Sequence, residues 1–227
     1  MNNNHIKTNT MAKKRQKLPD KKSGIQTIHI ILAVLVIAAL AIYFLNSGGN
    51  NSDTLPADNF KKLNTTIEPG KVKIIEFLNF GCTHCNDLRK DMPRLLQKYG
   101  DKVEITYIPI NFPRQSTKSV EAYLIAEQMG KGDEMLNALF DARFDKGMDI
   151  LESTIAIETV AASIGLGADF NQKLESGAMK NAANYNLRLA NDYNIAGTPS
   201  VFINGKPQED YSIANLDKVT GSILSEQ

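Results

Sequence analysis

The chain contains two cysteines, Cys82 and Cys85, at the junction of two different sequence patterns. Residues 71–80 (KVKIIEFLNF) are mostly apolar and partly β-branched, which predicts a buried strand. Residues 82–99 carry apolar side chains at three- to four-residue spacing, which predicts a helix. The Cys-x-x-Cys pair therefore lies between the end of a strand and the start of a helix.

Metal and haem sites need ligands that this chain does not supply. A structural zinc site takes four cysteine or histidine ligands. Two of the three histidines, His5 and His29, precede the predicted domain, which leaves only His84 beside the cysteines, so a four-ligand site would also need a carboxylate. Attachment of a c-type haem needs a histidine directly after the second cysteine, and that residue is Asn86. We expect no metal and no cofactor.

A structural disulfide and a redox pair remain as interpretations of Cys82 and Cys85. A disulfide across a two-residue gap constrains little of the unfolded chain and stabilises a fold weakly. A Cys-x-x-Cys at the start of a helix, directly after a strand, is typical of redox pairs. The position of the pair favours the redox interpretation over the structural one.

The predicted helix start assigns a different role to each cysteine. Unpaired N–H groups and the helix dipole should stabilise a Cys82 thiolate, and His84 could stabilise it further. Cys85 lies one turn on, faces inward and should be the resolving thiol. Glu76 is an acid within the apolar strand, where burial raises the pKa of a carboxyl group. It could relay a proton to or from Cys85.

The rest of the domain alternates strands and helices. A second strand is predicted over residues 102–110, which with the first strand and helix forms a βαβ unit with a parallel pair. Residues 113–193 form an all-helical insertion, within which Asp169 and Gln172 resemble a capping box. A strand over residues 200–203 precedes a hairpin turn at Asn204-Gly205. The return strand is predicted near residues 208–211 and a closing helix over 213–224, which gives an α/β sandwich.

The N-terminal part of the chain predicts a membrane anchor. Residues 1–24 carry seven basic residues and one acidic residue, and residues 25–45 are long and apolar enough for a transmembrane helix. The positive-inside rule then puts the N-terminus in the cytoplasm and the domain outside. Residues 46–57 form a flexible linker, and residues 58–227 the domain. A cleaved signal peptide is the alternative. The body after residue 24 is mildly acidic, which argues against nucleic-acid binding.

Two motifs together resemble the DsbA-like disulfide oxidoreductases of the thioredoxin superfamily. They are the Cys-x-x-Cys after Glu76-Phe-Leu-Asn-Phe and the later segment 196–206 (AGTPSVFINGK). The resemblance implies a thioredoxin-like fold with a helical insertion and a buried acid at Glu76. It also implies that Pro199 is cis beside the cysteines and that the backbone of Thr198 binds an extended substrate peptide. The dipeptide Thr83-His84 departs from the Pro-His of the most familiar oxidases in the family.

The resemblance implies a thiol-disulfide oxidoreductase, and the predicted anchor makes it membrane-bound and extracytoplasmic. We expect an oxidase that introduces disulfides into exported proteins and is reoxidised by a membrane redox partner. A reductase or isomerase on the same fold is the nearest alternative, although residues 46–70 look too short for the dimerisation domain of an isomerase. A peptide-binding chaperone whose cysteines are incidental is the third.

Overall fold

A computed structural model describes residues 67–226 of the chain. The predicted cytoplasmic segment, transmembrane helix and linker, residues 1–24, 25–45 and 46–57, lie outside the described residues, as do the first residues of the predicted domain. Among the described residues, no helix has the length and apolar character needed to cross a membrane.

A four-stranded sheet forms the centre of the described domain. Its strands are β1 (Val72–Leu78), β2 (Val103–Pro109), β3 (Ser200–Ile203) and β4 (Lys206–Gln208), in the order β2-β1-β3-β4. β1 pairs with β2 in parallel, as the βαβ pattern predicts, and with β3 in antiparallel fashion. All seven residues of β1 are buried, because helices cover both faces of this strand.

The hairpin between β3 and β4 turns on Asn204 and Gly205. Both residues have positive φ, 49° and 77°, which is the conformation that a two-residue hairpin turn requires. The predicted return strand at residues 208–211 was wrong by two residues. A two-residue turn leaves no spacer, so β4 begins at Lys206, directly after the glycine.

Seven α-helices and one short 3-10 helix (Gly100–Lys102) accompany the sheet in the described part of the chain. The α-helices are α1 (Thr83–Tyr99), α2 (Lys118–Gln128), α3 (Gly132–Phe144), α4 (Thr154–Ser163), α5 (Ala168–Ser176), α6 (Lys180–Asp192) and α7 (Ile213–Ser225). α1 and α7 cover one sheet face, where Ile74 packs with Met92 and Leu216. α6 covers the other face, where Phe77 packs with Leu189. The layers form the expected α/β sandwich.

Helices α2 to α6 lie between β2 and β3 and constitute the helical insertion. The insertion has a core of its own, which includes Ile125, Leu139 and Phe170. The predicted capping box at Asp169 was wrong. α5 begins at Ala168, and its N-cap is Gly167, which has no side chain to bond the first turn. Asp169 lies within that first turn, where an acidic side chain favours the helix dipole.

Arg89 joins the insertion to the helix that follows the cysteines. Its Nη2 lies 2.8 Å from an Asp141 carboxylate oxygen and 3.0 Å from Oδ1 of Asn86. Its Nη1 lies 2.8 Å from Oδ1 of Asn137, and its guanidinium lies over the Phe140 ring. The Arg89 side chain is only 11% exposed, so these bonds are partly shielded from water.

We expect Arg89→Met to lower the free energy of unfolding by about 1–3 kcal/mol, because it leaves the buried Asn86 Oδ1 without its donor. Methionine keeps much of the buried volume. Arg94→Met is the matched control on the same helix, since the ion pair of Arg94 with Asp91 is exposed and contributes little. Denaturant unfolding followed by circular dichroism measures both. Equal unfolding midpoints for the two variants would show that Arg89 does not hold the insertion in place.

Candidate active site

A tight turn after β1 places Cys82 at the start of α1. Oδ1 of Asn79 accepts a hydrogen bond from the Gly81 N–H at 2.8 Å, and the Asn79 carbonyl accepts one from the Cys82 N–H at 2.9 Å. A Cβ at Gly81 would lie 2.9 Å from Cδ1 of Leu151 in the insertion. A larger residue at this position would force the Leu151 side chain to move, so glycine allows the insertion to pack closely on the turn.

Cys82 is the N-cap of α1, and its Sγ accepts a hydrogen bond from the Cys85 N–H at 3.2 Å. Both cysteines are present as thiols in this structure. Cys82 is partly exposed, whereas Cys85 is buried, as the helical spacing predicts. The exposed Cys82 sulfur can react with a thiol of another protein, whereas the buried Cys85 sulfur can react only with Cys82.

Hydrogen-bond donors stabilise the Cys82 thiolate. The largest contribution comes from the Cys85 thiol, followed by the Thr198 side chain and the backbone N–H groups of Cys85 and His84. Partial burial of Cys82 acts in the opposite direction. The donors outweigh it and lower the pKa of Cys82 to about 6.

Cys85 has the opposite electrostatic environment. Its hydrogen bond to the Cys82 sulfur raises the pKa of Cys85 well above that of a free thiol, and burial raises it further. The negative charges of Cys82 and Glu76 also raise the pKa of Cys85, while a backbone hydrogen bond at Asn79 opposes them. A Cys85 thiolate released from a disulfide therefore binds a proton strongly.

Glu76 lies in the middle of β1, and both of its carboxyl oxygens are buried with no hydrogen-bond partner among the described residues. Burial raises the pKa of Glu76 to about 8, and the negative charge of the Cys82 thiolate adds to this effect. Near neutral pH the carboxyl group is thus poised between its two protonation states. This is the property that a proton-transfer group needs.

The segment before β3 approaches the cysteines from the opposite side to β2. The Thr198-Pro199 peptide bond is cis, as the resemblance implies. The Cys82 thiol donates a hydrogen bond to the Thr198 carbonyl at 3.2 Å. The pairing of β3 with β1 fixes this segment, because it brings Val201 opposite Glu76. Binding of a substrate peptide by Thr198 stays a prediction.

His84 is exposed between the two cysteines, and its ring centroid lies 6.4 Å from that of Tyr211. The part of His84 that lowers the pKa of Cys82 is its backbone N–H. A contribution from the imidazole to the stability of the thiolate stays a prediction. In the part of the chain that the structure describes, no group of three or more histidine, cysteine or acidic side chains is arranged to hold a metal ion.

A family model described as thioredoxin matches residues 68–219, which include all of the elements described above except the end of α7. The chain belongs to the thioredoxin family. The family match covers both cysteines, Glu76 and the Thr198-Pro199 segment. The fold and the two sequence motifs therefore agree on the same family.

Curated relatives narrow this assignment. The thiol:disulfide interchange protein DsbA of Burkholderia cepacia is 23% identical over 155 residues, which cover 68% of this chain and 73% of that protein. DsbA of Pseudomonas aeruginosa is 24% identical over 191 residues, which cover 82% and 87% of the two chains. With the Cys-x-x-Cys pair at the helix start, these relatives show that the chain is a DsbA-like thiol-disulfide oxidoreductase.

Solved structures show the same fold. The crystal structure of DsbA from Xylella fastidiosa superposes with a TM-score of 0.58 at 19% identity, covering 71% of this chain and 89% of that one. Oxidised BdbD from Bacillus subtilis superposes with a TM-score of 0.58 at 16% identity, covering 70% and 90%. At these identities the likeness concerns the arrangement of helices and strands.

Three residues of this DsbA-like site were not found from the sequence. Asn79 shapes the turn before Cys82, and the combination of an asparagine with Gly81 two residues later is a turn signal that could have indicated it. Tyr107 lies opposite Glu76 on β2, which only the strand register reveals. Arg89 contacts the insertion 52 residues away, and no local pattern indicates such a pair.

We expect alkylation of Cys82 in the reduced protein to reach half its maximal rate near pH 6, because the thiolate is the reactive form. Cys85→Ala removes the strongest donor, so the pKa of Cys82 should rise toward that of a free thiol. Cys85→Ser keeps a hydroxyl donor and should raise the pKa less. Titration of the alkylation rate compares the three proteins. Identical midpoints would show that Cys85 does not stabilise the thiolate.

Proposed function

We propose that the chain is an oxidase that introduces disulfides into exported proteins from the outer side of the cell membrane. The observation that carries this proposal is the set of hydrogen-bond donors on the Cys82 sulfur, which lowers the pKa of Cys82 to about 6. Donors to the thiolate stabilise the reduced pair relative to the disulfide, which makes the pair a stronger oxidant.

The reaction moves two electrons from the client to the cysteine pair. A client thiolate attacks Cys82, the Cys82–Cys85 bond breaks, and a mixed disulfide forms between the client and Cys82. A second client thiolate then attacks the client sulfur of that bond. The client leaves with a disulfide, and Cys82 leaves as a stabilised thiolate. A membrane redox partner is needed to accept the two electrons and restore the pair.

Glu76 would supply the proton in this sequence. The first step releases Cys85 as a thiolate in a buried position, where its pKa is raised. A protonated Glu76 can donate a proton to this sulfur, and its pKa of about 8 keeps much of the carboxyl group protonated at neutral pH. In the reverse direction the Glu76 carboxylate would accept the proton as Cys85 attacks.

Thr198 and Pro199 would hold the client. The Thr198 carbonyl already accepts a hydrogen bond from the Cys82 thiol at 3.2 Å, so a peptide segment next to Thr198 lies within reach of the reacting sulfur. Extended peptides bind to exposed backbone groups by adding a strand. This arrangement suits clients that are still unfolded, because their backbone is free to pair.

The oxidase proposal predicts that the reduced form resists unfolding more than the oxidised form. A folded-state pKa below the unfolded value stabilises the reduced form at high pH, and this stability is lost as the pH falls through about 6. At neutral pH we expect the free energy of unfolding of the reduced form to exceed that of the oxidised form by about 1 kcal/mol. This difference should disappear near pH 5. Denaturant unfolding of both forms measures it.

Thr198→Val is the matching variant, because it removes a donor side chain to Cys82 at nearly constant volume. Thr198→Val should reduce the difference in the free energy of unfolding between the reduced and oxidised forms. Thr83→Val, at the exposed position next to Cys82, should leave the difference unchanged. An oxidised form that is more stable than the reduced form would argue for a reductase, or for a structural disulfide, and against the oxidase.

The membrane anchor is supported by the sequence pattern of residues 1–45. We expect protease added to intact cells to digest the domain and to spare an epitope at the basic N-terminus. Lysed cells are the control, in which both parts should be digested. Survival of the domain in intact cells would contradict the extracytoplasmic location.

A further inference from the structure

A pocket lies at the β2 edge of the sheet, and the mechanism above does not use it. Its volume is about 290 Å³, and its lining includes Tyr107, Tyr123, Glu127 and Asp133. β2 is an outer strand of the sheet, whereas the Thr198-Pro199 segment precedes β3 on the other side of β1. The pocket and the proposed client-binding segment therefore flank β1 from opposite sides.

Tyr107 connects this pocket to the buried acid. It is the register partner of Glu76 in the parallel pair of β1 and β2, and side chains at paired positions point to the same face of a sheet. Tyr107 packs against the core cluster that contains Cys85 and Leu78, and it also lines the pocket. It is the pocket residue that neighbours Glu76 across the strand pair.

The buried Glu76 carboxyl group needs a path by which it can exchange a proton with solvent. Both of its oxygens are buried and without a hydrogen-bond partner among residues 67–226, yet each reaction cycle requires the carboxyl group to lose and regain a proton. The side of the site that carries Cys82 and Thr198 would be covered by the client in the mixed disulfide. A proton can then reach Glu76 only from another direction.

We propose that Tyr107 is the positioning residue through which Glu76 exchanges its proton with solvent in the β2 pocket. This inference rests on the proposed proton-transfer role of Glu76. When Glu76 gives its proton to the Cys85 thiolate, the Tyr107 hydroxyl passes a proton to the Glu76 carboxylate through a bridging water, because the two side chains are register partners but are not hydrogen-bonded to each other in this structure. The same hydroxyl oxygen accepts a proton from solvent in the pocket, so Tyr107 ends the step neutral.

The charged groups around Tyr107 are compatible with this role. Glu76 on β1 and Asp133 on α3 oppose ionisation of the phenol, and Arg89 on α1 favours it. Burial acts in the same direction as the two acids and raises the pKa of Tyr107 well above its usual value. The Tyr107 hydroxyl therefore does not ionise, and it gives up its proton only as it accepts another proton from solvent. Tyr123 lies within hydrogen-bond distance of Glu127 on the pocket wall, at 3.3 Å.

Repeated turnover of the full-length chain, with a dithiol peptide as client and glutathione disulfide as oxidant, tests the inference, because each further cycle requires Glu76 to regain its proton. The turnover rate is measured from about pH 5 to pH 9. The variants are Glu76→Gln, Tyr107→Phe and, as the matched control, Tyr99→Phe. The Tyr99 hydroxyl is bonded to Asp217 outside the pocket. In Tyr107→Phe we expect the rate at neutral pH to fall about threefold to tenfold, below the full effect of losing an acid–base group.

Two further readouts separate proton delivery from a loss of structure. If re-protonation of Glu76 becomes limiting in Tyr107→Phe, the solvent isotope effect should grow and the rate should rise with the concentration of imidazole buffer. Tyr99→Phe should match the unaltered protein in both. A slow Tyr107→Phe with neither effect would mean that Tyr107 only supports the fold, and the inference would be wrong.

The variants also separate this inference from the proposal beneath it. An unaltered rate in Glu76→Gln would overturn the role of Glu76, and the inference with it. If Glu76→Gln lowers the rate and Tyr107→Phe does not, the role of Glu76 in proton transfer is supported. The proton would then leave by another route, and the inference alone would fail.

Discussion

The burial of β1 on both faces is the constraint on which the rest of the site depends. Helices α1 and α7 cover one face of β1, and α6 covers the other. The chain can therefore reach solvent only where β1 ends. The carboxyl end of β1 is where the chain turns into α1 and where Cys82 becomes the N-cap. The same burial removes water from Glu76 and raises its pKa. One strand thus sets both the position of the thiols and the proton affinity of the acid.

The neighbours of β1 contribute the remaining groups. Antiparallel pairing with β3 brings the Thr198 carbonyl to the Cys82 sulfur, and parallel pairing with β2 places Tyr107 beside Glu76. The insertion adds no strand to the sheet, yet it reaches the site through Leu151 over Gly81 and through the bonds of Arg89. Its orientation on the domain is therefore coupled to the geometry of the helix that carries the cysteines.

Patterns confined to one element were readable in the sequence. The apolar run of β1, the helical spacing after Cys82 and the Asn204-Gly205 turn each depend on a few adjacent residues, and the structure confirms them. The predicted capping box at Asp169 was wrong, because the helix begins one residue earlier, at Ala168, with Gly167 as its N-cap. A short motif does not determine which residue begins a helix. Strand register and contacts across the insertion involve residues far apart in the chain. Tyr107 and Arg89 were missed for that reason.

The outer strand β4 spans only Lys206–Gln208 and contains Pro207. Proline has no N–H to offer to a further strand, and an exposed lysine on a short edge opposes close approach of another chain. A protein whose proposed clients expose unpaired backbone would otherwise risk joining its sheet to theirs. The short length of β4, together with Pro207 and Lys206, therefore hinders the addition of a further strand at this edge of the sheet.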